Sequence, residues 1–110
     1  MTTFDEREKA YEAKLAHDEE VKFKANVRRN KWLGLWAAEK LGKQGKAAED
    51  YANALVAAQL EGQGEEAVFG KIRADFKAAD VAQSDHQIRR EMEELLAKAT
   101  QEVAAGRAQT

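Results

Sequence analysis

The chain has 110 residues, no cysteine, no proline and a formal net charge of −2. That length suits one domain with a thin core. The lack of cysteine excludes disulfides and thiolate metal sites, and no apolar run approaches the roughly 20 residues that span a bilayer. The composition is rich in Ala, Glu, Lys, Leu and Gln and poor in β-branched residues, which favours helix over strand. Charge is unevenly placed: residues 1–20 hold seven acids and three bases (−4), residues 21–46 one acid and eight bases (+7), and residues 47–110 twelve acids and seven bases (−5). The start, MTTFDEREKAYEA, is charged and has no apolar stretch of the kind a secretory signal needs. A cytoplasmic location is expected.

Residues 3–20 come first. Thr3-Phe4-Asp5-Glu6 fits a capping box, with Thr3 as N-cap and Glu6 reaching back. Asp5–Lys9, Asp18–Lys22 and Glu20–Lys24 are i,i+4 pairs with the acid on the N-terminal side, the better order. The apolar stripe is narrow: Phe4, Tyr11 and Leu15. An isolated helix of this kind is marginal in water. Residues 1–20 are therefore expected to be an arm, disordered or a frayed helix when free, that a partner groove orders.

Residues 21–41, VKFKANVRRNKWLGLWAAEKL, are the expected hub. Phe23, Val27, Gly34, Ala37 and Leu41 share a helical face at 100° per residue. Trp32, Leu33, Leu35 and Trp36 carry apolar surface round the side. A helix apolar on nearly every side is normally buried by several neighbours. No break signal separates arm from hub, so the two read as one long helix when ordered. Gly42 and Gly45 end it.

Residues 46–60 form the next helix, with Ala48, Tyr51, Ala52, Leu55 and Ala58 on its apolar face and Val56 beside them. Glu61-Gly62-Gln63-Gly64 reads as its end. Glu65 and Glu66 open a third helix with Val68, Phe69, Ile72, Phe76 and Ala79 at helical spacing. Gly70 within it costs about 1 kcal/mol relative to Ala unless it permits close packing. Residues 80–83 read as a turn. Ser84-Asp85-His86-Gln87 is a second capping box, opening a last helix with Ile88, Met92, Leu95, Ala99 and Val103 on one stripe. The expected fold is all-α: residues 21–110 as a four-helix bundle-like domain, preceded by the flexible helical arm.

Chemistry finds little to use. Ser84, the only serine, is explained by capping. His17 and Glu20 have an i,i+3 spacing, but a di-metal bundle needs two Glu-x-x-His motifs, and neither is present. LGKQGK lacks the spacing of a phosphate-binding loop. Lys22, Lys24, Arg28, Arg29 and Lys31 make a basic belt near Trp32, yet these bases spread round the helix and the sequence pI is about 5.7, unlike a typical nucleic-acid domain. A solvated basic face or a protein contact is the expected reading, with Trp32 and Trp36 in the core. Neither catalytic residues, a cofactor, a metal nor a nucleic acid is expected.

The run from Thr2 to Gly42 resembles the start of the zeta subunit of alphaproteobacterial F1Fo-ATP synthases. The resembling pieces are Thr3-Phe4-Asp5-Glu6-Arg7-Glu8, Ala16-His17-Asp18, Phe23-Lys24-Ala25, Arg28-Arg29-Asn30-Lys31 and Leu33-Gly34-Leu35-Trp36-Ala37-Ala38. They are collinear over about forty residues, and the remainder is similar more loosely, in length, helix pattern and Val68-Phe69. Leu15 departs from the phenylalanine associated with the family, and Trp32 from a smaller aliphatic residue. The resemblance implies a small helical inhibitor of ATP hydrolysis by the F1 sector, not an enzyme. Its arm would fold as a helix into an interface between alpha and beta subunits. The implied contact residues are Phe4, Asp5, Arg7, Glu8, Tyr11, Glu12, Lys14, Leu15, His17 and Asp18. The implied partners are the alpha and beta subunits, with gamma as a third candidate. The free protein is expected to be a monomer without membrane insertion, peripheral to the inner membrane when bound. A helical adaptor or a small-ligand-binding module is the alternative.

Overall fold

A computed structural model gives the backbone of residues 3–106. Four helices follow one another: α1 (Thr3–Lys40), α2 (Gly45–Ala58), α3 (Gly64–Ala78) and α4 (Asp85–Ala104), with a π-helical turn, Gln59–Gln63, between α2 and α3. No strand occurs among the described residues, and among them no helix is long and apolar enough to cross a membrane.

The long α1 sets the shape. Its 38 residues give about 57 Å at 1.5 Å per residue, close to the 64 Å longest dimension of a body only 25 by 23 Å across. The 20 residues of α4 give about 30 Å by the same rule. Packed side by side, α1 must overhang the rest. It runs without interruption through residue 20, where arm and bundle were expected to meet.

The C-terminal half of α1 packs against both α2 and α4. Its buried side chains Leu33, Ala37 and Ala38 meet Tyr51 and Leu55 from α2, Val68, Phe69, Ile72 and Phe76 from α3, and Ile88 and Met92 from α4. Trp36 packs on this core with its ring centroid 5.7 Å from that of Phe76, tilted at 58°. Gly34 lets α1 and α2 touch: a Cβ there would lie 2.4 Å from the Ala52 Cα. Most of the apolar stripes expected for α2, α3 and α4 are buried or half-buried; Ala79 is exposed.

Helix ends follow local chemistry. Ser84 Oγ accepts from the Gln87 amide at 3.1 Å while Gln87 Oε1 accepts from the Ser84 amide at 2.8 Å, so the capping box that opens α4 is complete. At the end of α1, Lys43 N–H donates to the Ala38 carbonyl and Gly42 N–H to Glu39, a Schellman motif around a left-handed glycine. The same motif ends α3, where Val81 donates to Phe76 and Asp80 to Lys77. There the left-handed position is Asp80, at φ 59°.

Three expectations need correction. Phe23 is 57% exposed and Leu35 is 37% exposed. Phe23 lies beside Val56 and Leu60 at the end of α2, where the bundle offers too little depth to cover it. The helix of residues 46–60 does not stop at a loop either: α2 passes into the π-helical turn and breaks only at Gly64, whose φ is 71°.

Candidate functional site

The free part of α1 is where side chains are available to a partner. Arg7, Lys9, Lys14, His17, Asp18, Glu19 and Glu20 are all exposed. Among the ten expected contact residues, Arg7, Lys14, His17 and Asp18 thus lie on open helix surface. The side chains of Phe4, Asp5, Glu8, Tyr11, Glu12 and Leu15 lie outside the described residues, as does that of Glu6 in the first capping box. Glu20 and Lys24 form an ion pair at 2.8 Å with both side chains 59% exposed. The hydrogen bond and charge of Lys24 hold the Glu20 carboxyl below its ordinary pKa. That pair spans the join between arm and bundle on the outer surface.

Ala25 is the first fully buried side chain among the described residues, and one turn later the helix is fixed by polar groups. Arg29 is fully buried. Its Nε donates to Asn30 Oδ1 at 2.7 Å, its Nη1 to Glu65 Oε1 at 3.0 Å and to the Met92 carbonyl at 3.4 Å, and its Nη2 to Asn26 Oδ1 at 3.4 Å. A buried guanidinium is tolerated only when its donors are met and its charge is countered; this one is met from α1, α3 and α4 together. Asn30, also fully buried, donates through Nδ2 to Gln59 Oε1 in the π-helical turn. Arg28, 7% exposed, reaches Glu102 near the end of α4 at 3.4 Å. The root of the arm is therefore clamped to α3, α4 and the π-helical turn.

This clamp corrects the expectation of a solvated basic belt. Lys22 and Lys24 are exposed, Lys31 is half-buried, but Arg28 and Arg29 are inside. Charge counting hides them. The signal that marks Arg29 is its spacing: four residues from Ala25 and four from Leu33, both buried, it sits on the core face. Trp32 is half-buried rather than core, with the Lys98 ammonium 4.9 Å from its ring.

A second polar group lies at the opposite end of α1. Tyr51 O–H donates to Asp75 Oδ2 at 2.7 Å, and Lys71 Nζ donates to the same oxygen at 3.2 Å. Burial, then the bond to Asp75, raises the phenol pKa. Such an arrangement joins α2 to α3 and keeps the phenol neutral, which suits packing better than proton transfer. Among the described residues no cluster of three or more His, Asp or Glu is placed to hold a metal.

The family model described as ATPase inhibitor subunit zeta matches residues 1–102. The chain belongs to that family. Comparison with curated protein sequences gives no match. A structure solved by solution NMR resembles this zeta-family chain with a TM-score of 0.65 and 39% sequence identity, over 77% of this chain and 96% of the other. The family match includes the residues of the N-terminal part of α1.

Proposed function

We propose that this protein inhibits ATP hydrolysis by the F1 sector of an ATP synthase by inserting residues 1–20, as the N-terminal part of α1, at an interface between alpha and beta subunits. The inhibitory role follows from the family. The observation that supports the arm as its agent is the overhang: α1 outruns the bundle, and its described side chains from Arg7 to Glu20 are exposed. From Thr3 to Asp18 such a helix reaches about 22 Å, enough to enter a deep cleft. Apolar residues at positions 4, 11 and 15 supply anchors, and Arg7, Lys14 and Asp18 supply ion pairs at the rim. Mechanism is then steric. A helix wedged at one catalytic interface holds it in a single state and stops the rotary cycle. In the cell the inhibitor works at the cytoplasmic face, peripheral to the membrane that carries the synthase.

The experiment is an ATP hydrolysis titration of purified F1-ATPase with the full chain and with a chain lacking residues 1–19. Dose-dependent inhibition by the full chain alone is expected, with helical circular dichroism retained by the shorter one. Full inhibition by the truncated chain refutes the arm. The bundle retains its polar clamp and its core without those residues, since none of the named core or clamp side chains precedes residue 25.

A further inference from the structure

Arg28, Arg29 and Asn30 are the buried polar side chains among the described residues, and they are consecutive. Between Ala25 and Leu33 no other side chain of α1 is buried. Consecutive residues of a helix point about 100° apart, so the three leave α1 in three directions. Arg28 reaches Glu102 near the end of α4. Arg29 reaches Glu65 at the start of α3 and the Met92 carbonyl on α4. Asn30 reaches Gln59 in the π-helical turn. An apolar seam holds a helix along one side and tolerates small shifts. Hydrogen bonds weaken steeply as their angles open, and these are spread round about 200° of the helix. Together they brace α1 against tilting.

We propose that Arg29, supported by Arg28 and Asn30, is the positioning residue of the inhibitor: it fixes the direction in which the arm projects, and so the fraction of molecules aligned for insertion. This rests on the arm reading above. The reason is leverage. Among the described side chains none before Ala25 is buried, so α1 leaves the bundle directly from the brace. From Arg29 back to Arg7 the helix runs about 33 Å at 1.5 Å per residue. A tilt of about 10° at Arg29 moves the helix at Arg7 by about 6 Å, half the width of a helix with its side chains. Arg29 is fully buried, so it acts through α1 and not by contact with the ATPase. When only a fraction of molecules is competent, apparent affinity falls by that fraction. The loss belongs to entry: an arm already inserted is held by the ATPase itself.

The test uses the full chain and purified F1-ATPase. Arg29→Met fills much of the same space without the donors or the charge, a replacement that buried ion pairs commonly tolerate. Arg29→Lys keeps the charge but not the fork of donors, and carries the test alone if Arg29→Met loses its helical circular dichroism. Both are expected to slow the onset of inhibition and raise the half-inhibitory concentration about tenfold, as when one arm in about ten is aligned. The release rate should stay near the parent's. Ile72→Val, buried on α3 and outside the brace, is the stability control: it should lower the melting temperature and leave onset unchanged. Because the chain has no cysteine, Lys14→Cys with Glu93→Cys gives one pair of spin-label sites, both exposed. The distance distribution of that pair in the free protein should widen when Arg29→Met or Arg29→Lys is added. Parent-like onset in the folded Arg29 variants overturns the proposal, as does a distribution of unchanged width or an equal loss of potency in Ile72→Val. Deletion of residues 1–19 run alongside separates the two ideas. If that deletion abolishes inhibition while the Arg29 variants behave as the parent, the arm stands and only the positioning role falls; if it leaves inhibition intact, both fall.

Discussion

Glu65 and Glu66 are adjacent acids in the first turn of α3, and both are exposed, yet their replacement by alanine should have very different effects. Each loses about the same helix-terminus attraction, roughly 0.3–1 kcal/mol, and the same change in helix propensity. Glu66 pairs with Arg89 at 3.2 Å, with side chains 76% and 47% exposed; solvent and side-chain entropy leave an exposed pair of this kind little net effect on stability. The Arg89 bond and charge hold the Glu66 carboxyl below its ordinary pKa, but in open solvent that adds little to stability. Glu65 instead meets a guanidinium that is 0% exposed. Removing it leaves the buried Nη1 of Arg29 with only the more distant Met92 carbonyl, and its charge without the carboxylate. A buried donor that loses a charged partner costs about 1–3 kcal/mol. Glu65→Ala should therefore cost about 1–2 kcal/mol more than Glu66→Ala, or roughly 4–16 °C in melting temperature for a domain of this size. Thermal and urea denaturation followed by far-ultraviolet circular dichroism measure the difference. It should persist in high salt, because Arg29 is shielded from screening. Equal melting temperatures for the two variants would refute the view that the Arg29 clamp holds the bundle together.

Two glycines should respond in opposite directions. Gly34→Ala drives a Cβ into the Ala52 backbone and should destabilise by about 1–3 kcal/mol, whereas Gly70→Ala meets nothing within 4 Å and should stabilise by up to about 1 kcal/mol; paired thermal melts decide both. Asp80→Gly relieves a left-handed non-glycine residue and should raise stability by about 1 kcal/mol, unless urea melts show no gain. Replacing Glu19 and Glu20 by glycine should reduce helical signal and inhibitory potency together while the bundle's melting temperature stays near the parent's. Unchanged inhibition would mean that the arm acts without helical continuity into the bundle.

The parts legible in the sequence are those governed by one helix at a time. Val68, Phe69, Ile72 and Phe76 repeat at helical spacing and are all buried; Ser84 and Gln87 announce a cap and form it. The parts that were not legible need two helices at once. Phe23 looks like core by its own periodicity, and is exposed because α2 and its π-helical turn end beside it. Arg29 looks like surface by its charge, and is buried because Glu65, thirty-six residues on, arrives to counter it. Arg7, Lys14, His17 and Asp18 were legible as arm surface, whereas Arg28 meets Glu102 only through the packing of α4 on α1.

The clamp and the arm are two consequences of one physical constraint. A helix is costly to start and cheap to extend, with a nucleation penalty on the order of 10⁻³. The arm, with few apolar residues, could not meet that penalty alone. Joined without a break to residues 25–40, it does not have to: the bundle has already fixed the turns around Ala25, Arg29 and Leu33, and each arm residue adds one hydrogen bond to an existing helix. Under the proposed mechanism, ordering from the root outward lowers the entropy lost on insertion of the arm. A purely apolar root could slide by small repacking, but Arg29 has donors that match particular atoms on α3 and α4, so rotation of α1 about its axis breaks several bonds at once. The rotational setting of the root is passed along the continuous helix to positions 11 and 15. Under the proposed mechanism, these buried polar residues decide which side of the arm faces the ATPase.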